Sequence, residues 1–227
     1  MTLPIITYVV FACALLPALF AVGLRVRSRP LQALGLYSVL LFVQSVSMAW
    51  FRTRGTNLWL IHVFLPVQAV LFLFILARWQ KRETTRNTVL LTIPLFLLVW
   101  AGLTFTVESF DAFPRYVKTL EGLLLVAIGA YTLIARAQTI TAPITRYPWF
   151  WVCTGIVLQF AFAAIVNPVA HELLRYAGRS VGWMYNVNML VVTIANFLFV
   201  RAMFLAGPTD DGLAERRRHA PAARLAS

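Results

Sequence analysis

The residues best suited to chemistry in this 227-residue sequence are a few polar side chains that interrupt long apolar runs. His62 and Glu121 are ionisable, and an ionisable group inside a membrane span is by default a candidate functional group. If the two side chains meet, they form a titratable pair that would couple binding to proton uptake. Gln44 and Asn186 add amide groups near the same end of the apolar runs.

These polar residues predict a pocket that opens towards the outer face of a membrane. We expect its ligand-binding residues to be Gln44, His62, Glu121, Trp183, Tyr185 and Asn186. Trp183 and Tyr185 would roof the pocket, although aromatic residues at span ends also serve as ordinary interfacial anchors. For the amides, the alternative is hydrogen bonding between helices, at about 0.6 kcal/mol per bond. Helical spacing does not let every polar residue line one cavity, because Asn188 points roughly opposite Asn186. A further polar set lies nearer mid-membrane: Gln68, Gln159, Thr193 and Asn196.

The sequence contains none of the residue sets on which familiar catalytic, metal and cofactor sites depend. Cys13 and Cys153 stand alone in apolar runs, and no His and Asp residues occur at zinc-ligand spacing. No serine lies in a glycine-rich nucleophile turn, and no glycine-rich loop could hold a phosphate. We therefore expect no catalytic residue, no metal and no cofactor.

The composition indicates a membrane protein. Hydrophobic residues make up 60% of the chain and charged residues 12%, with a mean hydropathy of +0.78. Soluble domains usually have about 45–50% apolar and about 25% charged residues. A water-soluble core of this size could not bury so much apolar surface. The same figures exclude disordered, collagen-like and disulfide-rich secreted proteins.

The lengths of the apolar runs predict the fold class. A helix needs about 20 apolar residues to cross a hydrocarbon core about 30 Å thick. That window predicts an all-α membrane protein, with a single bundle of seven transmembrane helices over residues 1–207. Short polar loops join the predicted spans, which are Leu3–Leu24, Leu31–Phe51, Leu58–Arg78, Thr88–Val107, Thr119–Ala137, Pro148–Val169 and Val181–Leu205.

The basic residues predict the orientation of the bundle. Loops one, three and five, together with the C-terminal end, hold fourteen Lys and Arg residues, and loops two, four and six hold six. Because cytoplasmic loops are enriched in Lys and Arg, we expect the N-terminus outside and the C-terminus in the cytoplasm of a bacterium, with the bundle in its cytoplasmic (inner) membrane. The net charge of +12 then reflects topology and contact with the lipid bilayer rather than nucleic-acid binding.

Residues 208–227 are polar and rich in Ala and Arg, which predicts a disordered basic cytoplasmic tail. Its Arg216, Arg217 and Arg218 are the residues expected to contact anionic lipid or a membrane or cytoplasmic protein partner.

Three stretches of the chain carry a resemblance to a group of known proteins: Leu58–Leu76, Tyr147–Ile165 and Gly182–Phe204. They resemble a group of small, uncharacterised bacterial seven-helix integral membrane proteins of about this length. The shared features are a His and a Pro-x-(Glu/Gln) pattern in span three, and Asn residues in span seven. The resemblance implies a seven-helix fold over nearly the whole chain and no established activity.

Three classes of function remain. We favour a sensory or accessory module that binds a small ligand or partner helices through the outward-facing polar cluster and relays the state inward. The alternative is a small-solute transporter, against which spans one to three and five to seven show no convincing internal similarity. The third is an intramembrane lipid-modifying enzyme, for which the sequence offers no catalytic constellation.

Overall fold

The computed structural model describes residues 5–51, 57–177 and 182–206, with side chains for 12–51, 57–166, 169 and 186–206. Within those ranges the chain is all-α, with seven long helices, a short 3-10 turn at Ile144–Arg146 and no strand. The helices are α1 (Ile5–Gly23), α2 (Arg29–Phe51), α3 (Trp59–Arg78), α4 (Glu83–Thr106), α5 (Arg115–Ala137), α6 (Pro148–Ala177) and α7 (Gly182–Leu205).

Each predicted span coincides with a helix, and most bounds agree within two residues. The larger differences lie at polar ends: α4 begins at Glu83 rather than Thr88, α5 begins at Arg115 rather than Thr119, and α6 continues to Ala177. A hydropathy window detects the part of a helix that crosses hydrocarbon, whereas the helix itself continues into the polar boundary. The predicted tail, residues 208–227 with its three consecutive arginines, lies outside the described residues.

Six of these helices, α2 to α7, are long and apolar enough to cross a membrane, and α1 contributes a shorter apolar stretch at Ala12–Gly23. Large apolar side chains cover outward faces of the bundle. On α4, for example, Leu91, Leu95 and Leu98 are each more than half exposed. Such a face is costly in water but matches hydrocarbon. These are the features of a multi-pass membrane protein.

Six of the helices form a closed ring. Consecutive helices pack together along the chain, α3 also packs against α5, and α1 packs against α7. The ring therefore runs α1, α2, α3, α5, α6, α7, and α4 packs on its outside against α3 and α5. Much of α3 is buried, including Phe72, Leu73, Ile75 and Leu76, and a helix that is apolar on all sides fits a position packed against α2, α4 and α5.

Small residues allow α5 and α6 to approach closely. A Cβ atom added at Gly122 would lie 3.1 Å from the Cβ of Ala164, and one added at Gly129 would lie 3.0 Å from Cγ2 of Val157. Membrane helices use such small-residue faces to gain van der Waals contact. The contacts also show that α5 and α6 are antiparallel, because the later glycine meets the earlier part of α6.

The bundle has two chemically different ends. Arg136 at the end of α5 bonds to the backbone of Trp79 at the end of α3, and the rings of Phe20 and Phe204 bring together the ends of α1 and α7. We name this the basic end. Among its described residues one acid, Glu83, accompanies ten basic residues: Arg25, Arg27, Arg29, Arg78, Lys81, Arg82, Arg86, Arg136, Arg146 and Arg201. The opposite end, where α3 begins and residues 107–114 join α4 to α5, is named the His62 end.

Candidate functional site

An ion pair between a largely buried lysine and a fully buried glutamate lies in the first two turns of α5. Lys118 Nζ is 2.7 Å from Glu121 Oε2, and the two side chains are 17% and 0% exposed. The spacing of three residues places both groups on one helix face. The ammonium also lies 5.6 Å from the centre of the Phe160 ring, which directs it towards α6. The other carboxylate oxygen, Glu121 Oε1, has no hydrogen-bond partner within the described residues.

A second polar contact joins α2 to α6. Gln159 Nε2 donates a hydrogen bond of 3.1 Å to the Tyr37 hydroxyl, and both residues are buried. The Tyr37 ring packs against Phe72 and Phe199 at centroid distances of 4.4 and 6.4 Å. Phe72 also packs against Phe160, at 5.2 Å between ring centroids, and Phe160 is the ring over which Lys118 lies. The ion pair and the Tyr37–Gln159 bond therefore belong to one region of the core.

Asn196 of α7 is 2% exposed, and in the described part of the chain neither atom of its side-chain amide has a partner. Its depth follows from the contact between Phe199 and Gly155. Asn196 lies about one turn before Phe199, and Gln159 about one turn after Gly155 on the antiparallel helix, so the two amides share a depth. We name the central polar group by its members: Tyr37, Lys118, Glu121, Gln159 and Asn196.

His62 lies beneath the α4–α5 loop at the opposite end from the basic residues. Its side chain is buried, its Nε2 is 3.0 Å from the Ala112 carbonyl oxygen, and its ring packs against Phe110. A carbonyl oxygen only accepts, so Nε2 donates this hydrogen bond. Nδ1 is buried with no partner among the described groups. Pro66 has no N–H, so the His62 carbonyl also lacks its helical donor.

Two more polar residues accompany His62 near the end of α4. Glu108 Oε1 accepts the backbone N–H groups of Tyr116 at 2.6 Å and Val117 at 3.3 Å, and so caps α5. Glu108 Oε2 and Thr104 Oγ1 are buried, and neither has a hydrogen bond in the described ranges. The His62 end therefore combines a fixed loop with several buried polar atoms that lack partners.

Gln44 lines a crevice between α2 and α3. The lining residues are Tyr37, Leu40, Leu41, Gln44, Phe64, Val67 and Gln68. Its interior volume of about 10 Å³ is the room that one water molecule needs. This crevice therefore holds nothing larger than water in the conformation described.

The residues that were predicted to bind a ligand lie at separate places in the structure. Gln44 lines the crevice, His62 bonds to the loop, Glu121 pairs with Lys118, and Asn186 has an exposed side chain on α7. Over the described residues, no hydrogen bond or ion pair joins His62 to Glu121. The side chains of Trp183 and Tyr185 lie outside the description. Ligand binding by these six residues stays a prediction.

Lys118 and Tyr37 were missed in the sequence. Lys118 was assigned to a loop because the apolar window began at Thr119, yet its spacing of three residues from Glu121 is a signal for a shared helix face. Tyr37 reads as an ordinary apolar residue, because only its hydroxyl is polar and its partner is 122 residues away.

No protein-family model, curated protein or solved structure matches this chain. The resemblance to small bacterial seven-helix membrane proteins therefore stays a prediction. In the described residues, no group of three or more His, Cys, Asp or Glu side chains could hold a metal ion. The groups available for chemistry provide hydrogen bonds and charge. They are an ion pair, two amides and a phenol among the helices, and an imidazole beneath the α4–α5 loop.

Proposed function

We propose that this protein is a seven-helix sensory or accessory module of the bacterial cytoplasmic membrane, and that a small polar ligand or a partner helix acts on its central polar group. The observation that carries the proposal is the burial of Glu121 and Asn196 in an otherwise apolar bundle, with the largely buried Lys118 paired to Glu121. Charges removed from water are costly, and well-packed apolar residues would often stabilise a core as well. Polar groups kept inside a membrane bundle mark functional positions.

The unpartnered atoms support a responsive role. Glu121 Oε1 and both amide atoms of Asn196 have no bond in the described chain, so each gains from a new partner at little loss. A ligand or helix that satisfies them in a second arrangement would shift the population towards that arrangement. Because the helices enclose these groups, binding requires some helix movement, which would carry the signal across the bundle.

The charge distribution supports the proposed orientation. Among the described residues of the basic end, ten basic side chains and one acid match the enrichment of Lys and Arg in cytoplasmic loops. In this orientation the basic end faces the cytoplasm and α1 crosses the membrane as one of seven spans. The N-terminus and the His62 end then face the exterior. Lys118 and Glu121 then lie in the outer half, nearer to an external signal.

The experiment is mass spectrometry under non-denaturing conditions on protein extracted gently from its native membrane. We expect a discrete added mass, or a bound second protein, that is lost in the Asn196→Leu variant. Thr193→Val is the matched control, because Thr193 lies one turn away on the same helix. Its hydroxyl donates to the Met189 carbonyl oxygen of that helix. A bare wild-type chain, or an addition equally retained by Asn196→Leu, would overturn the proposal. Solute flux in proteoliposomes would favour the transporter instead.

A further inference from the structure

The basic end contains an arginine that is fixed in place and half-buried. Arg136, in the last turn of α5, donates from Nε to the Trp79 carbonyl oxygen at 2.6 Å. The start of α6 is also near, because the Cys153 backbone lies beside Gly129, two turns before Arg136 on α5. The group is thus held where the ends of α3, α5 and α6 meet. Its two terminal NH2 groups have no hydrogen bond or ion pair to any described residue.

A neighbouring bond keeps this arrangement rigid. Gln80 Nε2 donates to Thr132 Oγ1 at 2.7 Å and to the Leu76 carbonyl at 3.1 Å. These bonds tie the α3–α4 connection to α5 one turn before Arg136, and they hold the Trp79 carbonyl in place. An arginine whose fork is already oriented loses little entropy when it binds a planar or tetrahedral anion.

The charges around Arg136 favour an anion. Arg78, Lys81, Arg82 and Arg146 lie at the same end, with Arg78 placed over the Phe74 ring. Glu83, the acid described there, is exposed and already bonded to Arg86 at 2.8 Å. A half-buried guanidinium among like charges is unfavourable unless a negative group joins it.

We propose that Arg136 binds the phosphate of an anionic phospholipid, with its two terminal NH2 groups donating to the phosphate oxygens. Arg136 lies in the final turn of a membrane-spanning helix, at the depth where lipid phosphates are concentrated and basic pockets between helices bind headgroups. The half-buried Trp79 side chain is typical of that boundary. This site does not depend on the proposed sensory role.

The test is native mass spectrometry of the full chain with added phosphatidylglycerol or phosphatidylcholine. We expect wild-type protein to retain phosphatidylglycerol selectively, and Arg136→Gln to reduce the bound fraction about tenfold, since charge-assisted bonds are lost. Arg136→Lys keeps the charge but not the fork, so an intermediate loss is expected. Arg201→Gln, at an exposed position of the same end, is the control and should bind as wild type does. Circular dichroism checks that each variant is folded.

Three results would overturn this assignment. Equal loss in Arg136→Gln and Arg201→Gln would show general attraction to a basic surface. Displacement of the lipid by millimolar inorganic phosphate would show a site for a soluble anion. The chain also has acids outside the described residues, namely Asp210, Asp211 and Glu215. Tighter lipid binding after their conversion to amides would show that this segment occupies the site.

Discussion

Replacing Lys118 by Met should destabilise the bundle strongly, because it leaves the fully buried Glu121 carboxyl without its charged partner. At an effective dielectric constant of about 20, unit charges about 3 Å apart attract by roughly 5 kcal/mol. That attraction offsets the cost of removing both groups from water, and losing one partner leaves the other's cost uncompensated. Such single replacements cost about 3–5 kcal/mol, and we expect Lys118→Met to fall in that range.

The two partners should respond unequally. Lys118 is 17% exposed and Glu121 is 0% exposed, so after Glu121→Gln the long lysine side chain can extend towards the boundary. We therefore expect Glu121→Gln to cost only about 1–2 kcal/mol. The double variant Lys118→Met with Glu121→Leu removes both charges and should return to within about 1 kcal/mol of the wild type.

The assay is reversible unfolding in mixed micelles by titration with SDS, followed by circular dichroism. The pair Glu83 and Arg86 provides the control, since it has the same spacing and a similar distance of 2.8 Å but is exposed. Arg86→Met should change the free energy of unfolding by less than about 1 kcal/mol. The reasoning would be refuted if Lys118→Met cost no more than Arg86→Met, or if the double variant were as unstable as Lys118→Met alone.

Three further experiments test the packing and the polar contacts. Gly155→Ala places a methyl group 2.5 Å from the Phe199 ring. The overpacking should cost about 1–3 kcal/mol of stability and therefore lower Tm. Gly102→Ala, with nothing within 4 Å, should not lower Tm, and equal shifts would contradict the packing described. Tyr37→Phe leaves Gln159 without its acceptor and should cost about 1 kcal/mol in the unfolding assay; adding Gln159→Leu should recover most of that loss, and no recovery would count against the bond. His62→Phe keeps an aromatic ring but loses the bond to the α4–α5 loop, so amide hydrogen exchange there should accelerate, and unchanged exchange would argue against that contact.

The helices were predictable because a helix that crosses hydrocarbon needs about 20 apolar residues, and runs close to that length stand out in the sequence. The signal is lost where the chain becomes polar but remains helical. Glu83–Thr88 and Arg115–Thr119 lie in helices, although their composition is that of a loop. Hydropathy reports the surroundings of a segment, and backbone hydrogen bonding continues beyond them.

The candidate site was only partly predictable. His62 and Glu121 stand out because ionisable side chains are rare in apolar runs. Their partners do not stand out in the same way. His62 bonds to the backbone of Ala112, which any residue type would offer, and the partner of Glu121 is recognisable only once Lys118 is known to be helical. Which polar groups meet depends on the packing of α2, α5, α6 and α7, and a single sequence does not contain that packing in readable form.

The contact between α1 and α7 has a consequence for biosynthesis. About 160 residues separate the end of α1 at Gly23 from the start of α7 at Gly182. At about 5–20 residues per second, the ribosome needs roughly 10–30 s to make that segment. Throughout this interval α1 lacks its neighbour α7, and α6, made near the end of the interval, lacks α7 as well, so the growing bundle is open on one side. Closure is therefore the last step of assembly, and a chain stalled before α7 carries an exposed seam by which quality control can recognise it.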